Sequence, residues 1–146
     1  IAYRQIESMY DGNFIQDKKQ NFKDTWDNIS DTGSLYICMA PRLFVTEEDV
    51  EAMMEYVYAG NSLFISSGSI DELLLDEVGC SAVYTSPAVE NMVGKKQSTN
   101  VFSALQPEFK YGYYYYPFEN FFTGLDSSNT RVLGYNDSKK PKTIRF

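Results

Sequence analysis

Two stretches of this chain carry residue types that could do chemistry at a spacing chemistry can use. The first is Ser66-Ser67-Gly68-Ser69, between the apolar run Ser62-Leu63-Phe64-Ile65 and a segment of helical periodicity. Open α/β sheets hold ligands at such strand ends, and the free N–H groups of a following helix attract anions. Ser67, Gly68 and Ser69 are therefore candidate binding residues. A nucleophilic Ser67 is the alternative use of the same position. The G-x-S-x-G signature is absent, however, and the chain has no histidine to accept the serine proton. Ser69 and Glu72 also have the S-x-x-E spacing of a capping box, which would commit both side chains to a helix start.

The second stretch is aromatic. Nine of the fourteen residues from Phe109 to Phe122 are Phe or Tyr, including Tyr113-Tyr114-Tyr115-Tyr116. In a strand, Tyr111, Tyr113 and Tyr115 face one way, and Tyr114, Tyr116 and Phe118 the other. One face suits a core. The other suits packing under a loop, a protein interface where tyrosine offers apolar area with a polar tip, or stacking on sugars.

No catalytic set emerges beside these. Cys38 lies inside an apolar run, and only Arg42 is close enough in sequence to lower its pKa, so it reads as core. Cys38 and Cys80 are not expected to pair. Glu47, Glu48 and Asp49 fit the first turn of a helix, as do Asp71 and Glu72. No D-x-D-x-D-G loop is present, and neither a metal site nor a cofactor is expected. The formal net charge of −7 argues against nucleic acid or an anionic lipid surface as the main partner.

The elements that must position these residues centre on Leu35–Ile65. The unbroken run Leu35-Tyr36-Ile37-Cys38-Met39-Ala40 suits a parallel strand covered on both faces. Thr46 caps a helix over 46–59, with Val50, Met53, Met54, Val57 and Tyr58 on its apolar stripe. Gly60 supplies a left-handed stop, and Ser62–Ile65 is a second buried strand. Strand, helix, strand predicts a βαβ crossover. Ile1–Tyr10 reads as a helix, Phe14-Ile15 as a short edge strand, and Phe22, Trp26 and Ile29 as one side of a helix with Trp26 in the core. Ile70, Leu73, Leu74 and Val78 mark another helix. The first half, 1–80, is thus αβαβα. The half from 81 to 146 is β-rich, with strands expected at 81–86, 99–105 and 109–116. A hairpin joins Arg131–Tyr135 to Thr143–Phe146, its lysines 139, 140 and 142 in a solvated loop. The whole is expected to be one α/β domain, a three-layer sandwich around a mainly parallel sheet with a β-rich C-terminal extension. The start at Ile1 and the strand-like run reaching Phe146 lead us to expect a chain cut into its sheet at both ends.

From Leu35 to Ile65, with Thr46-Glu47-Glu48-Asp49 and Tyr56-Val57-Tyr58-Ala59-Gly60-Asn61 as its marks, the chain resembles domains of the class I glutamine amidotransferase-like (flavodoxin-like) fold. More narrowly, it resembles the bacterial family labelled domain of unknown function 4350, as do Arg131–Asn136 and Thr143–Phe146. The amidotransferase Cys and His match no position here, so that activity is not implied. The narrower resemblance implies a membrane-associated protein with this domain outside the cytoplasm, anchored by segments this chain lacks. Two functions follow as expectations. One is a non-catalytic ligand- or protein-binding domain of a cell-envelope protein, with another protein as partner. The other is a hydrolase or transferase whose serine or carboxylate site is completed by residues outside this chain, with a cytoplasmic location as the alternative address.

Overall fold

Thr46 has extended backbone angles, and its hydroxyl accepts the Asp49 N–H at 3.2 Å while Asp49 Oδ2 accepts the Thr46 N–H at 3.1 Å. This reciprocal capping box starts the helix around which the first half of the protein packs. The structure, a computed structural model, describes residues 2–10, 21–26, 32–85, 97–101, 109–113 and 120–146. Its elements in chain order are α1 (Ala2–Met9), α2 (Phe22–Trp26), β1 (Leu35–Ala40), α3 (Glu47–Tyr58), β2 (Ser62–Ser67), α4 (Glu72–Glu77), β3 (Ser81–Val83), β4 (Gln97–Val101), β5 (Phe109–Tyr113), β6 (Phe121–Thr123), β7 (Arg131–Asn136) and β8 (Pro141–Arg145).

β1 and β2 are parallel neighbours, Leu35 opposite Ser62 through Ala40 opposite Ser67, with α3 between them in sequence. The βαβ unit expected from the sequence is present. Gly60, at φ 93°, turns the chain out of α3. Asn61 then fixes the entry to β2. Buried, it accepts the Ser34 N–H at 2.9 Å and donates to Tyr56 O at 3.0 Å, tying the strand to the helix end.

The buried face of α3 lies about one position N-terminal to the expected stripe. Val50 and Met53 are buried as expected, and Met54 packs against the core, but Asp49, Ala52 and Tyr56 complete the face. Tyr56 is 1% exposed, whereas Tyr58 is 80% exposed and Val57 is also exposed. Contacts from far along the chain explain the rotation. Phe22 and Trp26 of α2 meet Tyr56 edge-on, at ring-centroid distances of 5.6 and 5.1 Å. The Lys23 N–H donates to Asp49 Oδ1 at 3.1 Å. Burial pushes the Asp49 carboxyl up, but the N–H groups of Lys23, Thr46 and Phe22 and the Thr46 hydroxyl outweigh it, so its pKa lies below the ordinary value. Trp26 is the core anchor expected of it; Ile29 and the expected strand at Phe14-Ile15 lie outside the described residues.

The core joins Phe22, Val45, Val50, Met53, Tyr56 and Leu74, with Tyr36, Leu63 and Ile65 lining it from one face of β1–β2. The other face departs from expectation. Leu35, Met39 and Phe64 are 44%, 51% and 50% exposed, so among the described residues this parallel pair is covered on one side only. In α1, Met9 is 75% exposed.

The second half is antiparallel. β3 pairs with β6, a strand the sequence analysis did not identify, and a four-stranded sheet has the order β5-β4-β7-β8. The expected β7–β8 hairpin forms, closed by Asn136, whose side chain accepts the Lys140 N–H at 2.9 Å. Asp137 in its turn accepts the Ser98 N–H at 2.9 Å and the Ser98 hydroxyl, and pairs with Lys110 at 3.2 Å, linking the hairpin to β4 and β5. Lys140 is not simply solvated, because its ammonium sits 4.1 Å from the centre of the Phe121 ring. The described chain is therefore a mixed α/β protein built on three small sheets. No helix among the described residues is long and apolar enough to cross a membrane.

Candidate functional site

Where β1 and β2 end, their exits fold onto each other. Past β1 the chain runs through Pro41 to Leu43, and past β2 through Gly68 to Ile70, with Leu43 and Ile70 forming a further parallel bridge. The Gly68 N–H donates to Pro41 O at 3.1 Å, and the Leu43 N–H donates to Ser69 O at 2.9 Å. A Cβ on Gly68 would lie 2.7 Å from Pro41 O. Only glycine lets the two loops approach this closely.

Two residues from the second half clamp the same loop. The Tyr84 hydroxyl accepts the Ile70 N–H at 2.8 Å and donates to Ile70 O at 2.9 Å. Asn120 donates through Nδ2 to Gly68 O at 2.7 Å, and its Oδ1 accepts the Thr85 N–H at 3.2 Å. Neither residue was anticipated. Tyr84 and Asn120 belong to loops with no motif, and only the β3–β6 pairing brings them here. Next to this clamp, Thr85 Oγ1 is the one side-chain polar atom among the described residues that is buried without a hydrogen-bond partner.

The candidate residues behave differently from expectation. Ser67 Oγ donates to Ser69 O at 2.6 Å, so the hydroxyl is turned into its own loop. Ser69 is not the helix cap. Asp71 is, with Oδ1 accepting the Leu73 N–H at 3.2 Å, because the pairing with Leu43 holds Ser69 and Ile70 in an extended connection before the helix begins. The carboxylate immediately before Glu-Leu-Leu-Leu was the available signal for that cap. The N–H groups of Gly68, Ile70 and Leu73, which an anion would need, are already bonded within the protein.

Tyr113 ends β5 opposite Gln97, in a different sheet from Ser67. Its side chain, and Tyr114, Tyr115 and Tyr116 entirely, lie outside the described residues. Cys38 and Cys80 are unpaired. Burial pushes both thiols up, and Asp76 adds to the rise at Cys80, so both are held protonated and weakly nucleophilic. The described residues include no group of three or more His, Cys, Asp or Glu placed to hold a metal ion. No family model matches this chain, and comparison with curated proteins and with solved structures also finds no match.

Proposed function

We propose that this chain is a non-catalytic protein-binding domain that docks a partner on the open face of β1–β2. The observation carrying this is the exposure of Leu35, Met39 and Phe64, on neighbouring parallel strands opposite the face that α3 covers. Parallel strands ordinarily have helices on both faces. Two strands span roughly 10 Å, about the diameter of one helix. The occupant is therefore an amphipathic helix of a partner protein, with basic residues flanking its apolar stripe to complement the net charge of −7. The bonded state of the Ser67–Ile70 loop supports binding elsewhere over catalysis there. The resemblance to a family of membrane-associated proteins, with a three-layer sheet as their common frame, favours a cell-envelope setting.

A photoreactive phenylalanine analogue placed at Phe64 in the full protein tests this in cell envelopes. It should crosslink to one partner, through a helical segment, and the Leu35→Asp change should abolish the crosslink. The same analogue at Tyr58, on α3, serves as the control. Equal crosslinking from Tyr58, or a product containing only a second copy of this chain, would refute the proposal. So would turnover in a hydrolase substrate screen that disappears in Ser67→Ala.

A further inference from the structure

The open face of β1–β2 carries one sulfur atom. Side chains alternate along a strand, so Leu35, Ile37 and Met39 point to that face, and Tyr36 and Cys38 point to the core. The parallel register sets Ile37 opposite Phe64 and Met39 opposite Ser66, which places Met39 diagonally beside Phe64. Met39 is half exposed and belongs to the apolar surface a partner would cover.

The chain has five methionines and two cysteines, and they differ in access. Met53 is buried, Met54 packs against the core, and Met92 lies outside the described residues. Met9, at the end of α1, is exposed but is not part of the β1–β2 face. Peroxides attack thiolates and accessible thioethers. Burial holds the Cys38 and Cys80 thiols protonated, so both compete poorly for such an oxidant. Met39 is thus the accessible oxidisable group on the docking face.

We propose that Met39 is a modification site that switches the docking face: its oxidation to the sulfoxide by hydrogen peroxide releases the partner helix, and its reduction restores binding. The inference rests on the docking proposed above and adds its regulation. One oxygen atom passes from the peroxide to Sδ of Met39. The O–O bond breaks, an S–O bond forms, sulfur gives up two electrons, and the remaining oxygen leaves as water. Before oxidation, the flexible thioether fits the ridges of an apolar helix face. Afterwards the same position holds a strong acceptor. A helix stripe has no donor to offer it, because the N–H groups of a helix interior are bonded within the helix. In the free chain the sulfoxide oxygen is hydrated and costs nothing. Only the docked state is penalised, which is what a shift between the two requires.

Peptide mass mapping and the photo-crosslink from Phe64 test the two halves of this proposal separately. Hydrogen peroxide added to the intact chain should put oxygen on Met39 and Met9 well before Met53 and Met54. The melting temperature should stay at the parent value, which separates loss of the face from loss of fold. In cell envelopes treated to the same end point, the crosslink yield should fall about tenfold, the effect of covering one polar group that finds no donor. Methionine sulfoxide reductase should bring it back. Met39→Leu, whatever its yield before peroxide, should give the same yield after it, whereas Met9→Leu should lose yield as the parent does. A parent crosslink that survives full oxidation of Met39, an equal fall in Met39→Leu, or a Met39 that reacts no faster than buried Met53 would each overturn the switch and leave the docking standing. No crosslink before peroxide would instead refute the docking, and this inference with it.

Discussion

Replacing Gly68 by alanine puts a methyl carbon 2.7 Å from Pro41 O, inside the distance that real Cβ atoms keep from a backbone oxygen. The same oxygen accepts the Gly68 N–H, so the clash and the lost hydrogen bond fall on one pair of groups. The loop has little room to move away. Asn120 holds Gly68 O from one side, and Leu43 holds Ser69 O from another. Overpacking of this kind costs about 1–3 kcal/mol, and the hydrogen bond contributes about 1 kcal/mol. The reduced freedom of the unfolded chain gives back about 0.4–1 kcal/mol. The net is a destabilisation of about 2 kcal/mol, or roughly 4–8 °C in melting temperature for a domain near 150 residues. Thermal melts followed by circular dichroism measure it. A Gly68→Ala protein that melts with or above the parent would show that the Pro41 and Gly68 loops are not locked together, and the bonded state of Ser67–Ile70 would then lose its force as an argument about function.

Two further outcomes follow from the helix starts. Asp71→Ala should cost about 1 kcal/mol as the loss of a cap, while Ser69→Ala should stay within ~0.5 kcal/mol, since among the described residues the Ser69 hydroxyl has no hydrogen-bond partner; urea titrations that reverse this order would restore the capping box to Ser69 and Glu72. Asp49 supplies a pH signature: its carboxyl lies lower in the folded protein than the ~3.9 of an unfolded aspartate, so its contribution is full above that value and is lost as pH falls through the lower folded value. The stability gap between the parent and Asp49→Asn should therefore narrow as pH falls below about 4, and a gap that stays constant there would contradict the assignment.

The sequence was most legible where a signal and its effect are local. Thr46 and Asp49 are three residues apart and share one turn, so the start of α3 could be placed to the residue. Gly60 stops the same helix by backbone conformation alone. The apolar runs of β1 and β2 predicted strands, and the helix between them predicted parallel pairing. Legibility failed where a distant contact chose between equivalent local options. Tyr56 and Tyr58 are both tyrosines near the end of α3, and periodicity from Val50 favours Tyr58. Tyr56 is buried because Phe22 and Trp26, at least thirty positions earlier, stack against it. The hydrogen bonding of the candidate loop was hidden for the same reason. Gly68 was named with Ser67 and Ser69 as a candidate binding residue, and the group that lies against its backbone is Pro41 O. The clamp by Tyr84 and Asn120 depends on β3 pairing with β6, some forty residues away, and no short motif encodes that pairing.

That internal use of the strand ends bears on how a partner would bind. At the C-terminal ends of β1 and β2, where a doubly wound protein leaves groups free for a ligand, this chain bonds them to itself. The apolar demand left over is on the strand faces. Leu35, Met39 and Phe64 are each about half exposed, and covering the remainder contributes roughly 1 kcal/mol apiece, about 3 kcal/mol in all. Association in solution costs an estimated 4 kcal/mol or more in lost freedom, so this face alone does not hold a freely diffusing helix tightly. In the proposed envelope setting, with chain and partner both anchored in one membrane, the balance would change without an added contact, because tethering replaces bulk concentration by a local one that reaches the millimolar range. A weak apolar face is therefore compatible with an envelope assembly and poorly suited to a dilute soluble partner. The distinction is also the reason for a covalent capture at Phe64, since a complex held by so little surface dissociates during any extraction that dilutes it.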